Sequence, residues 1–409
     1  MEFFRVVTPE RIFEELAGFR RVGTETVAPG AALSRVLAED VVSAEDLPPG
    51  PRATMDGYAV RAGDTFGASE SVPALLKAVG EVRMGSVPGF GIGAGEAAAV
   101  PTGGFLPGGA DAVVMVEYAA PAGGGAVEVT RPVTAGENVL ERAGDVARGQ
   151  KVLPRGRRLR PQDVGLLAGL GVEEVVVYRK PVVAVFSTGN EVTPVGRAPS
   201  PGQVRDVNTY SICALVRASG GEAVPLDVVP DDPDLIGSAI NEALSRGDAA
   251  ALSGGTSVGR RDHVMEVVGR LPGARVIAHG VAISPGKPTL LASVGGKALF
   301  GLPGHPVSAL VVAQVFLAPF LRYLEGGELT RRPGGRRVEA ELTTSVHSAH
   351  GREEYVRVSI EERDGRAYAV PVFGRSGAIN ALVRADGFFI VPVHSEGAPG
   401  GERVEVFLF

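Results

Sequence analysis

From Pro181 onward the chain alternates short, almost wholly apolar runs with longer amphipathic ones, and no other feature restricts its fold so tightly. Val182 to Phe186 and Ala249 to Leu252 carry no polar residue at all, as expected of strands buried on both faces. Thr209 to Ala218 and Leu235 to Leu244 have helical spacing, and Ala223 to Val229 returns to a strand-like texture. Strand, loop and helix in this order call for a parallel sheet with helices on both faces. In such sheets ligands sit beyond the carboxyl ends of the strands.

The loops after these strands are chemically unusual. Ala249 to Leu252 empties into Ser253-Gly254-Gly255-Thr256-Ser257-Val258-Gly259-Arg260-Arg261-Asp262-His263, and Val264 to Gly269 then reads as the start of a helix. A strand, a Gly-rich turn and a helix N-terminus together make a phosphate cradle. Small residues there let main-chain amides approach an anion, while Thr256, Ser257 and Asp262 add polar contacts. Phe186-Ser187-Thr188-Gly189-Asn190-Glu191 follows the first strand with two hydroxyls, a permissive glycine and a carboxylate. Ser284-Pro285-Gly286-Lys287-Pro288-Thr289 and Gly301-Leu302-Pro303-Gly304-His305-Pro306 each follow a further apolar run. Convergence of these loops at one sheet edge would form a nucleotide-like or pterin-phosphate site.

Within the loops, two prolines and a glycine fix the backbone around Lys287, which suits it to hold a phosphate or an oxyanion such as molybdate. Pro303 and Pro306 pin the loop around His305, which reads equally as a turn residue or a ligand. Asp231 precedes a Pro-initiated helix, so helix capping and ligand binding are both open to it, and Asp262 has the same ambiguity. Carboxylates beside a phosphate site are reconciled by a bridging Mg²⁺.

At 409 residues the chain is long enough for two to four domains, at roughly 100–200 residues each. A helical pattern from Pro9 to Phe19, with Thr8 as cap, and a second helix over Leu33 to Leu37 are expected at the start. Short alternating runs follow from Pro48, among them Leu75 to Val79, Ala97 to Val100, Ala112 to Val116 and Ala126 to Val129; helical spacing returns over Pro161 to Leu170. After about Gly326 the period falls back to two. The expected organisation is an α/β multidomain chain. It comprises a discontinuous helical region (1–47 plus 145–178), a β-rich domain (48–144), a central parallel α/β domain (179–327) and a C-terminal β-barrel or sandwich (328–409).

A net charge of −6 argues against a nucleic-acid binder, and the absence of a long uninterrupted apolar run argues against a membrane span, so a cytoplasmic protein acting on small molecules is expected. Cys213 is the single cysteine, which precludes an intrachain disulfide or a cysteine-based metal cluster and reads as a small core hydrophobe. No histidines form an i, i+4 pair, so any metal is a hard cation on oxygen ligands.

Taken in order, PRATMDGYAV at Pro51, VPTGG at Val100, GENV and AGDV near Glu137 and Asp145, STGNE at Ser187, SGGTSVGRRDH at Ser253, SPGKPT at Ser284 and GLPGHPVSA at Gly301 resemble the molybdopterin molybdenumtransferase family, which includes bacterial MoeA and the E domain of gephyrin. The resemblance implies insertion of molybdate or tungstate into adenylylated molybdopterin, with Mg²⁺ and release of AMP. It implies catalytic roles for Asp56, Thr102, Glu191, Asp231 and Asp262, with Glu191, Asp231 and Asp262 as Mg²⁺ ligands. Substrate contacts would come from Ser187, Thr188, Gly189, Ser253, Gly254, Gly255, Thr256, Ser257, Lys287, Pro303 and Pro306. It further implies a homodimer with the pocket between subunits, so that Asp56 acts across the interface, and handover from a molybdopterin adenylyltransferase to recipient apoenzymes. One departure is Ser284, which stands where many bacterial members have a lysine and so removes a charge. Two other readings fit the same motifs: a molybdopterin adenylyltransferase, and a non-catalytic scaffolding dimer of the same fold.

Overall fold

The computed structural model describes residues 6–255, 263–331 and 335–409. At its centre is a six-stranded sheet in the order Glu222–Pro225, Val182–Ser187, Ala249–Ser253, Lys297–Leu302, Leu290–Val294, Ala274–His279. The first four strands are parallel, as expected. The last two make antiparallel pairings, with Leu290–Val294 alone running against the rest, so the sheet is mixed rather than wholly parallel. The cause is Gly295-Gly296, with φ of 57° and 80°: both residues are left-handed, as a two-residue hairpin turn requires, and the chain reverses at once into its neighbour.

Each sheet face buries a different set of elements. One face packs Phe186, Leu252 and Leu299 against Ile236, Ile240, Val264 and Val268 of the helices Pro233–Arg246 and His263–Arg270. The other packs Val183, Val185 and Phe300 against the helix Asn208–Ala218 and the long helical run Pro306–Leu324. That run is apolar and long enough to cross a membrane, but 78% of it is buried inside the protein, between the sheet, the N-terminal helix and the C-terminal domain.

The N-terminal helix Pro9–Leu16 starts as expected, with Pro9 in its first turn and Thr8 Oγ1 accepting the Arg11 N–H. Ile12, Phe13 and Leu16 are buried, and the Phe13 ring lies 5.6 Å from that of Phe316, so this helix packs onto the α/β layer. The helix expected over Leu33 to Leu37 does not form. Ser34 is left-handed at φ 63°, Val36 bridges Arg158, and Leu37 pairs with Val177, its side chain fully buried. Long-range pairing outweighs a weak local helix preference here. Around it, Thr24–Val27 pairs with Val175–Tyr178 and Val41–Val42 with Lys151–Leu153, over a core of Leu37, Leu153, Leu159 and Leu167. The region expected to be helical is thus mixed: the helices Pro9–Leu16 and Pro161–Gly169 are joined by short paired strands.

The β-rich part is a six-stranded sheet built from Gly57–Val60, Ala74–Glu81, Glu96–Val100, Ala112–Met115, Ala119–Ala122 and Ala126–Val129. At the C-terminus, Arg337–Leu342, Glu353–Arg363, Arg366–Pro371, Gly387–Val391 and Arg403–Leu408 pair in a closed ring, which is a barrel. Its interior is apolar, filled by Leu342, Val358, Phe389 and Val406 among others.

Asp163 holds the helix Pro161–Gly169 in place. It is 4% exposed, receives Arg157 Nη2 at 2.8 Å and Arg160 Nε at 3.1 Å, and also accepts the Arg160 N–H at 3.0 Å. The Arg157 hydrogen bonds, followed by those from Arg160, outweigh burial and hold its carboxyl well below the usual carboxylate range. A depressed folded-state pKa contributes stability above the unfolded value of about 3.9, lost progressively as pH falls below it. Asp163→Asn should therefore lower stability by about 2 kcal/mol at pH 7, and the deficit should shrink toward pH 2 in urea-unfolding curves.

Candidate active site

The registers of the central strands align Ser187 with Ser253 and Ser253 with Leu302. Three loops therefore leave the sheet side by side, as the sequence led one to expect. The two serines do not project freely. Ser187 Oγ, 3% exposed, donates to Asp206 Oδ1 at 2.8 Å and lies 3.0 Å from Thr209 Oγ1. Ser253 Oγ donates to the Pro303 carbonyl at 3.0 Å and accepts from Asn208 Nδ2 at 2.6 Å. Both hydroxyls thus tie loop to loop and form the floor of the site.

Two glycines make that floor possible. Gly254 has φ 105°, and a Cβ there would fall 2.1 Å from the Thr188 carbonyl oxygen, so the loops close together only without a side chain. Gly286, at φ 123°, would place a Cβ 2.4 Å from Val312 Cγ2. Its loop is held down further by Thr289 Oγ1, which donates to the Gly286 carbonyl at 2.6 Å.

The loops enclose a cavity of about 1120 Å³. Of the residues singled out from sequence, Ser187, Thr188, Glu191, Ser253, Gly254, Gly255, Lys287, Pro303 and Pro306 all line it. Gly189 adjoins it: a Cβ there would lie 2.9 Å from both Glu191 carboxylate oxygens, so that carboxylate folds over the glycine. Asp231 stands one contact back, accepting from Thr188 Oγ1 at 3.1 Å and from the Asn190 N–H at 3.4 Å. Its capping ambiguity is resolved, because Asp232 caps the helix Pro233–Arg246. Thr256, Ser257 and Asp262 lie outside the described residues.

Asp56 and Thr102 sit in turns at strand ends of the β-rich part and are not among the residues lining this cavity in the same chain. They face each other: Thr102 N–H donates to Asp56 Oδ1 at 2.7 Å. Hydrogen bonds from the Thr102 backbone and hydroxyl hold the Asp56 carboxyl below its ordinary range, so it is ionised at neutral pH. Cys213 is 3% exposed, and burial pushes its thiol up, in keeping with a core residue.

The C-terminal domain supplies part of the wall, which the sequence did not reveal. Ile283–Ser284 pairs in parallel with Glu353–Glu354, so a barrel strand extends alongside the Lys287 loop and brings Arg352 to the cavity. Ser376 Oγ lies 2.8 Å from His305 Nδ1, joining the barrel domain to the Pro303–Pro306 turn. Asp206 and Asn208 were also missed. The one available signal was a polar Asp-Val-Asn immediately before a helix. Among the described residues no three His, Cys, Asp or Glu side chains cluster to hold a metal ion.

A sheet that delivers Gly- and Pro-rich loops to one end, under a wall carrying Lys287 and Arg352, defines an α/β protein whose cavity has the chemistry to suit an anionic ligand. The chain matches the MoeA N-terminal region (domain I and II) over residues 8–171, a probable molybdopterin binding domain over 184–323 and the MoeA C-terminal region (domain IV) over 339–409. It is 35% identical to a molybdopterin molybdenumtransferase of Nostoc sp., covering 94% of this chain and 88% of that one. With the Bacillus subtilis molybdopterin molybdenumtransferase it shares 32% over 95% and 91%. A crystal structure of a Pyrococcus horikoshii molybdopterin biosynthesis MoeA protein superposes with a TM-score of 0.82 at 38% identity, covering 99% of both chains. The chain belongs to the MoeA family.

Gly254→Ala should cost about 3 kcal/mol or more, since a main-chain oxygen rather than a flexible side chain occupies the new methyl's place. Gly304→Ala, whose Cβ would meet its nearest atom at 3.7 Å, should unfold near the wild-type temperature. Thermal denaturation of the two variants checks the contrast.

Proposed function

We propose that this protein completes the molybdenum cofactor by inserting molybdate or tungstate into adenylylated molybdopterin, with release of AMP. The observation that carries the reading is one cavity shared by the Ser187, Ser253 and Pro303 loops and Lys287, in a chain whose full-length relatives are molybdopterin molybdenumtransferases. The β-rich sheet and the barrel favour this over an adenylyltransferase, because both are included in the match to those relatives.

In this reading the main-chain amides around Gly254 and Gly255 bind phosphate oxygens, and Lys287 and Arg352 balance the charge of the incoming oxyanion. Arg352 takes over part of the role of the lysine that Ser284 replaces. Attack by a water oxygen on phosphorus breaks the P–O–P anhydride and leaves AMP and the molybdopterin phosphate. The oxyanion exchanges two of its oxygens for the two dithiolene sulfurs, and the oxygens leave as two waters that take up the two thiol protons and two more from solvent. Glu191 and Asp231 are hard oxygen donors on two loops that meet through the Thr188 and Asn190 hydrogen bonds, and Asp262 is a third such donor in the sequence. That donor chemistry suits Mg²⁺, which takes one or two carboxylates and completes its shell with water and substrate phosphate. When bound, the ion would draw charge from the phosphoanhydride oxygens.

Asp56, ionised and away from its own chain's cavity, acts in a homodimer on the neighbour's cavity. Glu191→Ala and Asp262→Ala should each slow AMP release by about a hundredfold or more in a direct assay with adenylylated molybdopterin, Mg²⁺ and molybdate. Full turnover by both variants would overturn the site assignment. Mixing unfolded and co-refolded Asp56→Ala with Glu191→Ala should restore about a quarter of wild-type activity, since half of the dimers then hold one intact site. No recovery would place Asp56 outside the partner's cavity.

A further inference from the structure

Asn208 opens the helix Asn208–Ala218, is 7% exposed and lines the cavity. Its Nδ2 donates to the Gly304 carbonyl at 2.8 Å and to Ser253 Oγ at 2.6 Å. A carbonyl only accepts, so the amide nitrogen has to face Gly304, and the orientation of the carboxamide is fixed. Ser253 agrees with this polarity: its own proton goes to the Pro303 carbonyl, leaving a lone pair for Asn208. The other end of the carboxamide, Oδ1, is buried and has no hydrogen-bond partner.

A buried acceptor left unmet costs more than a typical hydrogen bond contributes, and native folds leave few. The other residue on this cavity wall with a buried, unpartnered side-chain atom among the described residues is Arg352, through Nε. One orphan is an acceptor and the other a donor on a cation. A ligand that meets both must carry a donor hydrogen as well as acceptor oxygens. A fully ionised phosphate or molybdate alone satisfies only the arginine.

We propose that Asn208 Oδ1 accepts an N–H group from the amino-substituted nitrogen heterocycle of the bound ligand, making Asn208 a specificity-determining residue. This rests on the functional reading above, in which the ligand carries two such rings, a 2-aminopteridine and a 6-aminopurine. Either could present the N–H. The carboxamide is held from two sides by separate loops, so it meets the ligand preorganised and loses no rotamer freedom on binding.

The test is calorimetric titration of the wild-type protein with two ligand pairs: AMP against purine riboside 5′-monophosphate, and the phosphate ester of 6-hydroxymethylpterin against its 2-deamino analogue. One pair should differ in Kd by about tenfold on the wild type, and that pair identifies the ring. Asn208→Leu should bind both members of that pair equally. Equal affinities within both pairs on the wild type, or discrimination that survives in Asn208→Leu, would overturn the proposal. The wild-type comparison needs no variant and decides the matter if Asn208→Leu fails to fold. AMP release from adenylylated molybdopterin is measured on the same preparation: release without discrimination removes the Asn208 assignment alone, and absence of both binding and release removes the functional reading with it.

Discussion

The lateral pairing of three strand ends governs this molecule. Ser187, Ser253 and Leu302 sit in one row because the strands Val182–Ser187, Ala249–Ser253 and Lys297–Leu302 are hydrogen-bonded neighbours in parallel register. Adjacent strands are about 4.8 Å apart, so the row spans roughly 10 Å, the extent of a phosphate group and an attached ring. Loops that start from fixed, adjacent points need little further restraint to meet. What restraint they need comes from buried hydroxyls and the Asn208 amide, each bonded across from one loop to the next.

Charge at the site is assembled from several parts of the chain. Lys287 arrives on a proline-braced loop of the α/β domain, while Arg352 arrives from the barrel at the same cavity. Glu191 and Asp231 belong to two different strand-end loops, which Thr188 and Asn190 tie together through hydrogen bonds to Asp231. Cations and carboxylates are therefore held by separate backbone segments within one enclosure.

Much of this was legible in the sequence because it was written in short-range patterns. Uniformly apolar runs announced buried strands, and glycine and proline clusters after them announced loops that had to fit close to other backbone. Most of the misses share a cause, which is that their signal lies in distant partners. Leu33 to Leu37 looked helical until the structure showed Leu37 paired with Val177. Gly295-Gly296 carried a local hairpin signal that was overlooked. Arg352 and Ser376 had no local signature, since only closure of the barrel brings them to the Lys287 and His305 loops. Asp231 and Asp232 are neighbours in an identical local context, and only the side-chain contacts separate the cap from the residue facing the site.

The two-residue ladder between Ile283–Ser284 and Glu353–Glu354 makes the α/β unit and the barrel one continuous structure at the level of the main chain. A version lacking the barrel would bare an unmatched strand edge beside an apolar helix, inviting self-association, and would lose part of the cavity wall at the same time. Removing the barrel would therefore disturb the fold and the cavity together, even though the sheet carries most of the loops that line that cavity.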